Sequence, residues 1–315
     1  MARYTRTGIV AMLLAAEVLV VGIGALALSG SLHGLSAQAA GLHSEQFVPE
    51  PIAALNAGSS PRVQISDPDS RVIVTASSDG RIHVTDLTSV SGVVWGSVHL
   101  AQARLARIPA GVRIERAPEK NGMAFSFGDI TQRIEVAVPP GSNLEIEQCS
   151  GASVASLTGA VRVRSQDGRI SVSDLNGNLD ALSNDGSVEA RNVHASRIAL
   201  QSLDGQVRMD DVSASRLLAT TRDGSIRADG LVLSGTGATG RIRTDDGSVR
   251  LHFLDAGNAN VHAQTADGRI VIDGQATRSD GDGADTRAVL GSAGGKLDVF
   301  SQDGTITMTT NGAFR

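Results

Sequence analysis

The sequence is short of cysteine and of rings. Cys149 is its one cysteine, so no disulfide closes within the chain, and a single thiol argues neither for nor against an oxidising compartment. Phe, Trp and Tyr together make up only 3% of the residues, against 36 glycines. A core without large rings must be thin and filled by small aliphatic side chains, and a sugar-binding face built on exposed aromatics is excluded. There is no excess of positive charge either. The formal net charge of −5 gives no basic footprint for nucleic acid. The seven histidines (His33, His43, His83, His99, His194, His252 and His262) are scattered, with no spacing that would make a ligand pair on a helix. No Gly-x-Ser-x-Gly elbow is present.

One long hydrophobic run exists, and it stands at the N-terminus. Arg3 and Arg6 precede Gly8–Leu28, which only Glu17 interrupts. At helical rise that run spans about 30 Å, the thickness of a bilayer core. Positive residues ahead of it predict a cytoplasmic N-terminus and a translocated remainder. A cleaved signal peptide is the alternative, with Ala37-Gln38-Ala39 as an acceptable site. The length of the run, and the distance of that site from its end, favour a retained anchor. Glu17 at mid-membrane is tolerated when protonated or paired with another membrane helix. The expected organisation is an anchor at 1–30, a linker at 31–61 containing Pro49, Pro51 and Pro61, and a repeat domain at 62–315.

Beyond the linker, one octapeptide recurs. SSDGRIHV (77–84), SQDGRISV (165–172), SNDGSVEA (183–190), SLDGQVRM (202–209), TRDGSIRA (221–228), TDDGSVRL (244–251), TADGRIVI (265–272) and SQDGTITM (301–308) share Ser/Thr-x-Asp-Gly-x-aliphatic. A single Asp-Gly is a common hairpin signal, whereas eight with the same flanks mark internal repetition. From Asp167 the Asp positions step by 18, 19, 19, 23, 21 and 36, and the last step is twice 18. Half-steps fall at Asn176-Gly177, at Gly294-Gly295, and at Ala-Ser-Arg-aliphatic in 195–198 and 214–217. Each unit therefore has two short strands and two corners. Strand alternation puts Ile170/Val172 opposite Leu179/Ala181, Val188/Ala190 opposite Ile198/Leu200, Val207/Met209 opposite Leu217/Ala219, and Ile226/Ala228 opposite Ile242. No unit buries its apolar face alone, so the units stack around a continuous core. The fold class expected is all-β, a single-stranded β-helix or β-solenoid, with an N-terminal transmembrane helix.

The same alternation turns the motif Ser or Thr inward, where a buried hydroxyl needs a partner and the corner's own backbone is nearest. The Asp is expected to bond the turn backbone and the Gly to supply a positive φ. Stacked rungs would line Asp167, Asp185, Asp204 and Asp223 along one edge. An Asp ladder binding calcium is the functional alternative, but one carboxylate per rung supplies few of the oxygens required. Neighbouring Arg169, Arg222 and Arg227 are expected to offset the repulsion. Upstream, 62–87 reads as an earlier unit, 88–128 breaks the period, and 98–108 reads as a short helix or an amphipathic strand. Pro139-Pro140-Gly141 is a tight turn.

The segment Arg-Ile-Glu-Val-Ala-Val-Pro-Pro-Gly-Ser-Asn-Leu-Glu-Ile (133–146), followed by serial Ser-x-Asp-Gly-x-Ile-x-Val units, resembles a bacterial family of β-strand-repeat envelope proteins regarded as adhesins, formally a domain of unknown function. The resemblance covers roughly 62–315. It implies an N-terminal membrane segment, a single-stranded β-helix outside the membrane, and no catalytic residues.

Two strings fit a dinucleotide fingerprint. Gly22–Ala27 lies inside the membrane run, and Gly235–Gly240 has no helix pattern after it and reads as an enlarged corner. A polysaccharide lyase or hydrolase would need carboxylates and cations gathered on one outer face. Residues such as Arg164, Arg169 and Asp174 follow the repeat instead. Cys149 reads as a core residue and His83 as outward-facing. No catalytic, cofactor-binding or metal residue is assigned, and no cofactor, nucleic acid or small-molecule substrate is expected. The partners expected are the membrane, through Gly8–Leu28, and a protein or surface ligand. The function expected is a non-enzymatic, membrane-anchored adhesin or interaction scaffold outside a bacterial membrane. The alternative is an envelope-stress sensor or regulatory accessory protein.

Overall fold

The computed structural model describes residues 50–95, 103–116, 125–254, 259–273, 275–277, 283–290 and 294–311. The expected anchor, with Arg3, Arg6, Glu17 and Ala37-Gln38-Ala39, lies outside them, as do most of the linker and residues 98–102. Every regular element described is a strand, and no helix among the described residues is long and apolar enough to cross a membrane. The chain divides into two compact units. One, 1–44, 92–98 and 121–128, contributes only strand residues 92–95 and 125–128 to the description. The other, 45–91, 99–120 and 129–315, is the repeat domain.

Its central rungs are a two-strand coil. Before each Asp-Gly corner stands one column of parallel strands: Val161–Ser165, Leu179–Ser183, 198–202, 216–221 and Thr239–Asp246. After the corner stands a second: Ile170–Asn176, 188–194, 207–214, Ile226–Leu233 and Val249–Phe253. The inward residues expected from alternation are the ones buried. Ile170, Val172, Leu179, Ala181, Val188, Ala190, Ile198, Leu200, Val207, Met209, Leu217, Ala219, Ile226, Ala228 and Ile242 are all at most 4% exposed. Each full-sized side chain so buried stabilises the fold by about 1.5–3 kcal/mol. Phe253 is the one aromatic residue among the largest fully buried side chains, at the end of its strand. Elsewhere Val, Ile, Leu and Ala, with Met209 and Met308, fill the gap between the two columns.

The wide 23-residue step has the expected cause. Residues 235–237 form an exposed enlarged corner in which Gly235 (φ 97°) and Gly237 (φ 73°) take left-handed backbone. The 36-residue step does not. Residues 275–290 do not add a further coil in line. Gln275–Thr277 runs antiparallel against Ile270–Ile272, and Ala284–Leu290 antiparallel against Ala259–Asp267. The chain then returns, and Gly295–Asp303 inserts as a parallel strand between Thr239–Asp246 and Ala259–Asp267. Ile306–Thr310 does the same between Val249–Phe253 and Ile270–Ile272. The last rung in sequence is thus the second-last in space. Gly295 begins its first strand, as the half-step predicted.

The upstream end repeats the device. Residues 62–76 are a rung, as expected, but they lie between 111–115 and 133–138 on one side and 143–154 on the other. Ala103–Ile108, within the stretch left between helix and strand, is a strand antiparallel to Gly111–Arg116. Glu50–Leu55, inside the expected linker, is a strand antiparallel to part of Ile82–Trp95. These antiparallel strands cover backbone edges that a parallel coil would leave open to another chain.

Candidate functional site

The repeated corner is the most regular arrangement in the domain. All eight motif hydroxyls, Ser77, Ser165, Ser183, Ser202, Thr221, Thr244, Thr265 and Ser301, are buried. In the stacked rungs the hydroxyls tie one rung to the next, and the serines at 165, 183 and 202 face two ways. Ser183 Oγ accepts from the Gly186 amide (3.0 Å) and donates to the carbonyl of Gly168 one rung back (3.1 Å). Ser202 repeats this with Gly205 and Gly186, at 2.9 Å each. Thr221 donates to Gly205 (2.8 Å) and Thr244 to Gly224 (2.7 Å). Ser301 donates to Gly247 (2.8 Å), and Thr265 to Gly304 (3.2 Å), so the hydroxyls trace the same exchanged rung order as the strands.

The motif glycine has a different cause from the one expected. Gly168, Gly186, Gly205, Gly224, Gly268 and Gly304 are not among the residues with positive φ. A Cβ on Gly186 would overlap the Gly168 carbonyl oxygen, and one on Gly205 would overlap that of Gly186. Glycine is required for the close approach of rung to rung. Of the stacked motif glycines only Gly247 has a positive φ (158°), and its Cβ too would overlap a carbonyl oxygen, that of Gly224. The expected left-handed turn occurs at the first motif. There Gly80 has φ 69° with open space around it, and Asp79 accepts from the Arg81 amide at 3.0 Å. Asp79 also meets the half-buried His83 at 2.9 Å, and its carboxyl is held below the usual range by the His83 and Arg81 bonds. Ser77 lies outside the ladder, and its buried hydroxyl has no partner.

The Asp edge is exposed at Asp167, Asp185, Asp204 and Asp223. Arg222 bridges two of these, meeting Asp204 at 2.6 Å and Asp223 at 3.1 Å. Arg169 and Arg227 do not join it as expected: Arg169 bonds Ser187 and Arg227 pairs with Asp229. In the exchanged rungs Asp303 stands beside Asp246 and Asp267, and desolvation together with these like charges holds its carboxyl above the usual range. Among the described residues no group of three His, Cys, Asp or Glu is placed to hold a metal ion.

A second column was not anticipated. Ser156 (φ 61°), Asp174 (52°), Asn192 (51°), Asp211 (53°) and Gly230 (74°) all take left-handed backbone at one level of successive rungs. Asn192 Nδ2 donates to Asp174 Oδ1 at 2.7 Å. Asn, Asp and Gly tolerate this conformation best, and their spacing of 18 or 19 residues was readable in the sequence.

Near the upstream end a charged cluster is buried. Arg116 Nε donates to Asp67 Oδ2 at 2.8 Å, and another nitrogen of the same guanidinium meets Asp86 Oδ1 at 2.8 Å. The side chains of Arg116 and Asp67 are 3% and 0% exposed, and Asp67 Oδ1 has no hydrogen-bond partner. Burial pushes the Asp67 carboxyl above its usual range against the pull of Arg116. Cys149, as expected, is a buried core residue, and burial raises its thiol.

Outer faces carry paired charges in rows. Arg208 with Asp210 and Arg227 with Asp229, each at 2.9 Å, occupy adjacent rungs. Two depressions follow the half-turn corner and share Arg197. The first, about 370 Å³, is edged by Arg62, Glu145, Arg162 and Asp180. These four charges are mutually satisfied: Arg62 meets Glu145 at 2.7 Å, and Arg162 lies 3.7 Å from Glu145 and 3.4 Å from Asp180. The second, about 340 Å³, is edged by Arg197, Arg216, Arg241, Lys296 and Asp298. The two Ala-Ser-Arg half-turns place Arg197 and Arg216 as strand neighbours.

Among solved structures the chain is similar to a proposed cell adhesion protein from Clostridium sporogenes ATCC 15579. That similarity has 9% identity and a TM-score of 0.27, covering 84% of this chain and all of the other. It is also similar to a proposed adhesin from Bacteroides fragilis NCTC 9343, with 12% identity and a TM-score of 0.39, covering 82% of this chain and 95% of the other. No curated protein sequence matches it. A family model does match, over residues 110–309, nearly two thirds of the length and the span of every stacked Asp-Gly rung: the chain belongs to the Toastrack DUF4097 family.

Proposed function

We propose that this protein is a non-enzymatic adhesin or interaction scaffold, held by Gly8–Leu28 in a bacterial membrane with its repeats on the outer side. The observation that carries the reading is the division of labour within each rung. The motif hydroxyl and glycine are consumed by stacking, while the outward positions hold charged side chains at a fixed spacing of ~4.8 Å from rung to rung. Such a surface favours an extended partner over a small substrate. Arg3 and Arg6 ahead of the apolar run support the orientation.

The test is bacterial display of the full chain beside a variant lacking residues 62–315. Cells carrying the full chain are expected to adhere to partner cells or coated surfaces, and to lose the repeats to added protease. Equal adhesion by both strains, or repeats protected from protease in intact cells, would overturn the reading.

A further inference from the structure

Within that reading of the domain as a binding surface, we propose that the second half-turn depression is a binding groove for an acidic polysaccharide, a linear chain of uronate sugars. Four cations edge it, on four consecutive rungs. Arg197 neighbours Arg216, Arg216 neighbours Thr239, and Thr239 neighbours Lys296; one residue pair further along, Leu218 neighbours Arg241, and Arg241 neighbours Asp298. Asp298 is the one carboxylate lining the groove, and Lys296 already holds it at 3.2 Å. Among the described residues no carboxylate pairs with Arg197, Arg216 or Arg241, so three guanidinium groups gather here with no internal counter-charge but Asp298.

The chemistry of the groove selects among anions. Three guanidinium forks match planar carboxylates, each able to give two parallel hydrogen bonds. Half-buried Leu218 sits among the cations, and the buried Ile198, Leu217 and Gly240 line the groove beneath it, so its lining is apolar between the charges. A polymer lying there must present both anionic groups and C–H surface, as a pyranose chain does. The rung spacing of ~4.8 Å is close to the length of one pyranose along an extended polysaccharide, so successive carboxylates fall in step with successive rungs. No aromatic side chain lines the groove, which removes the stacking platform that single-stranded nucleic acid uses. The first depression, at the same corner, offers the built-in contrast, because apart from the shared Arg197 its cations, Arg62 and Arg162, are already neutralised by Glu145 and Asp180.

The experiment titrates the full-length protein in detergent with polygalacturonate, and separately with poly-dT and an uncharged glucan. Polygalacturonate is expected to bind with an affinity that falls as salt rises. The double variant Arg216→Gln/Arg241→Gln should weaken it about tenfold, the combined effect of two exposed ionic contacts. Arg208→Gln/Arg227→Gln, which removes the same charge from the other face, should change it less than about twofold. Thermal unfolding of both variants checks that they fold; if the groove double variant does not, Arg197→Gln replaces it, with a loss of about threefold expected. Absence of polygalacturonate binding, equal losses in both variants, or poly-dT binding as tightly as polygalacturonate would overturn the proposal. Adhesion that persists in the display experiment would then leave the scaffold reading standing with this groove excluded.

Discussion

Ser202 shows how much one small side chain carries in a stacked corner. Its hydroxyl takes the Gly205 amide and gives its proton to the Gly186 carbonyl, so it closes its own turn and ties it to the rung before. Removing it leaves two buried backbone groups without that partner. Ser202→Ala should therefore cost about 2 kcal/mol, well above a surface change. Ser202→Thr should cost less than about 1 kcal/mol, because one rung on Thr221 sits buried in the same place and makes the same bond to the rung before. Gly205→Ala should be worse than Ser202→Ala, at about 3 kcal/mol, because its methyl would overlap the Gly186 carbonyl. Urea unfolding midpoints of the three variants check this order, and a mild Gly205→Ala would reject close approach as the reason for glycine. The inward turn of Ser202 was legible, since it shares a face with Leu200 in a period-two pattern. Its bond to Gly186 was not, because that partner is sixteen residues away and belongs to the stacking of rungs.

At the scale of elements, the stacked rungs were legible and the ends were not, for one physical reason. Val188, Ala190, Ile198 and Leu200 repeat because identical rungs bury identical faces, and a repeat is visible in one dimension. An edge strand such as Ala284–Leu290 pairs antiparallel and only once, so nothing in the sequence repeats to announce it. The groove lies in the same blind spot: Ala-Ser-Arg marks a half-turn in one dimension, and only the stacking of rungs sets Arg197 beside Arg216. The upstream rungs also hold the buried Asp67–Arg116–Asp86 cluster, which no periodicity marks. Two carboxylates there share one guanidinium, so the partners are not equivalent. Arg116→Met leaves both acids without it and should cost about 3–5 kcal/mol at neutral pH. Asp67→Asn removes the carboxylate whose second oxygen has no partner, keeps the Arg116–Asp86 pair, and should cost less than about 1.5 kcal/mol. The sign of the pH effect follows from the raised Asp67 carboxyl. Its folded form holds a proton more tightly than its unfolded form, so its contribution to stability is greatest at acid pH and is lost as pH rises through the raised value. The Arg116→Met penalty should accordingly shrink on acidification, and Asp67→Asn should gain on the wild type as pH rises from acid to neutral. Thermal midpoints across that range check both directions, and a pH-independent Arg116→Met penalty would exclude a charged Asp67 as its source.

For the whole repeat domain, the exchanged rungs decide how the coil ends. A solenoid that simply stopped would leave parallel edges ready to pair with another copy. Here the chain lays down rung 259–272, covers it with antiparallel strands at 275–277 and 284–290, and returns to insert 295–310 one rung inward. Strand pairing and hydroxyl bonding support this order independently, since Ser301 donates to Gly247 and Thr265 to Gly304. The order can be tested by cross-linking. Arg243 and Phe300 are neighbours on parallel strands, and the guanidinium stands over the ring at 4.9 Å, so both side chains point to the same face. Phe300 in turn neighbours Gln264, which places Arg243 and Gln264 two strand spacings apart, roughly 9–10 Å. A disulfide needs Cα atoms closer than about 7 Å. Arg243→Cys/Phe300→Cys should therefore oxidise to an intramolecular disulfide in the folded protein, and Arg243→Cys/Gln264→Cys should not. Buried Cys149 is the only native thiol and is shielded from exchange. Mass spectrometry of the oxidised proteins distinguishes the two. A coil wound in simple sequence order would give the opposite result, because rung 259–272 would then lie directly against 239–253.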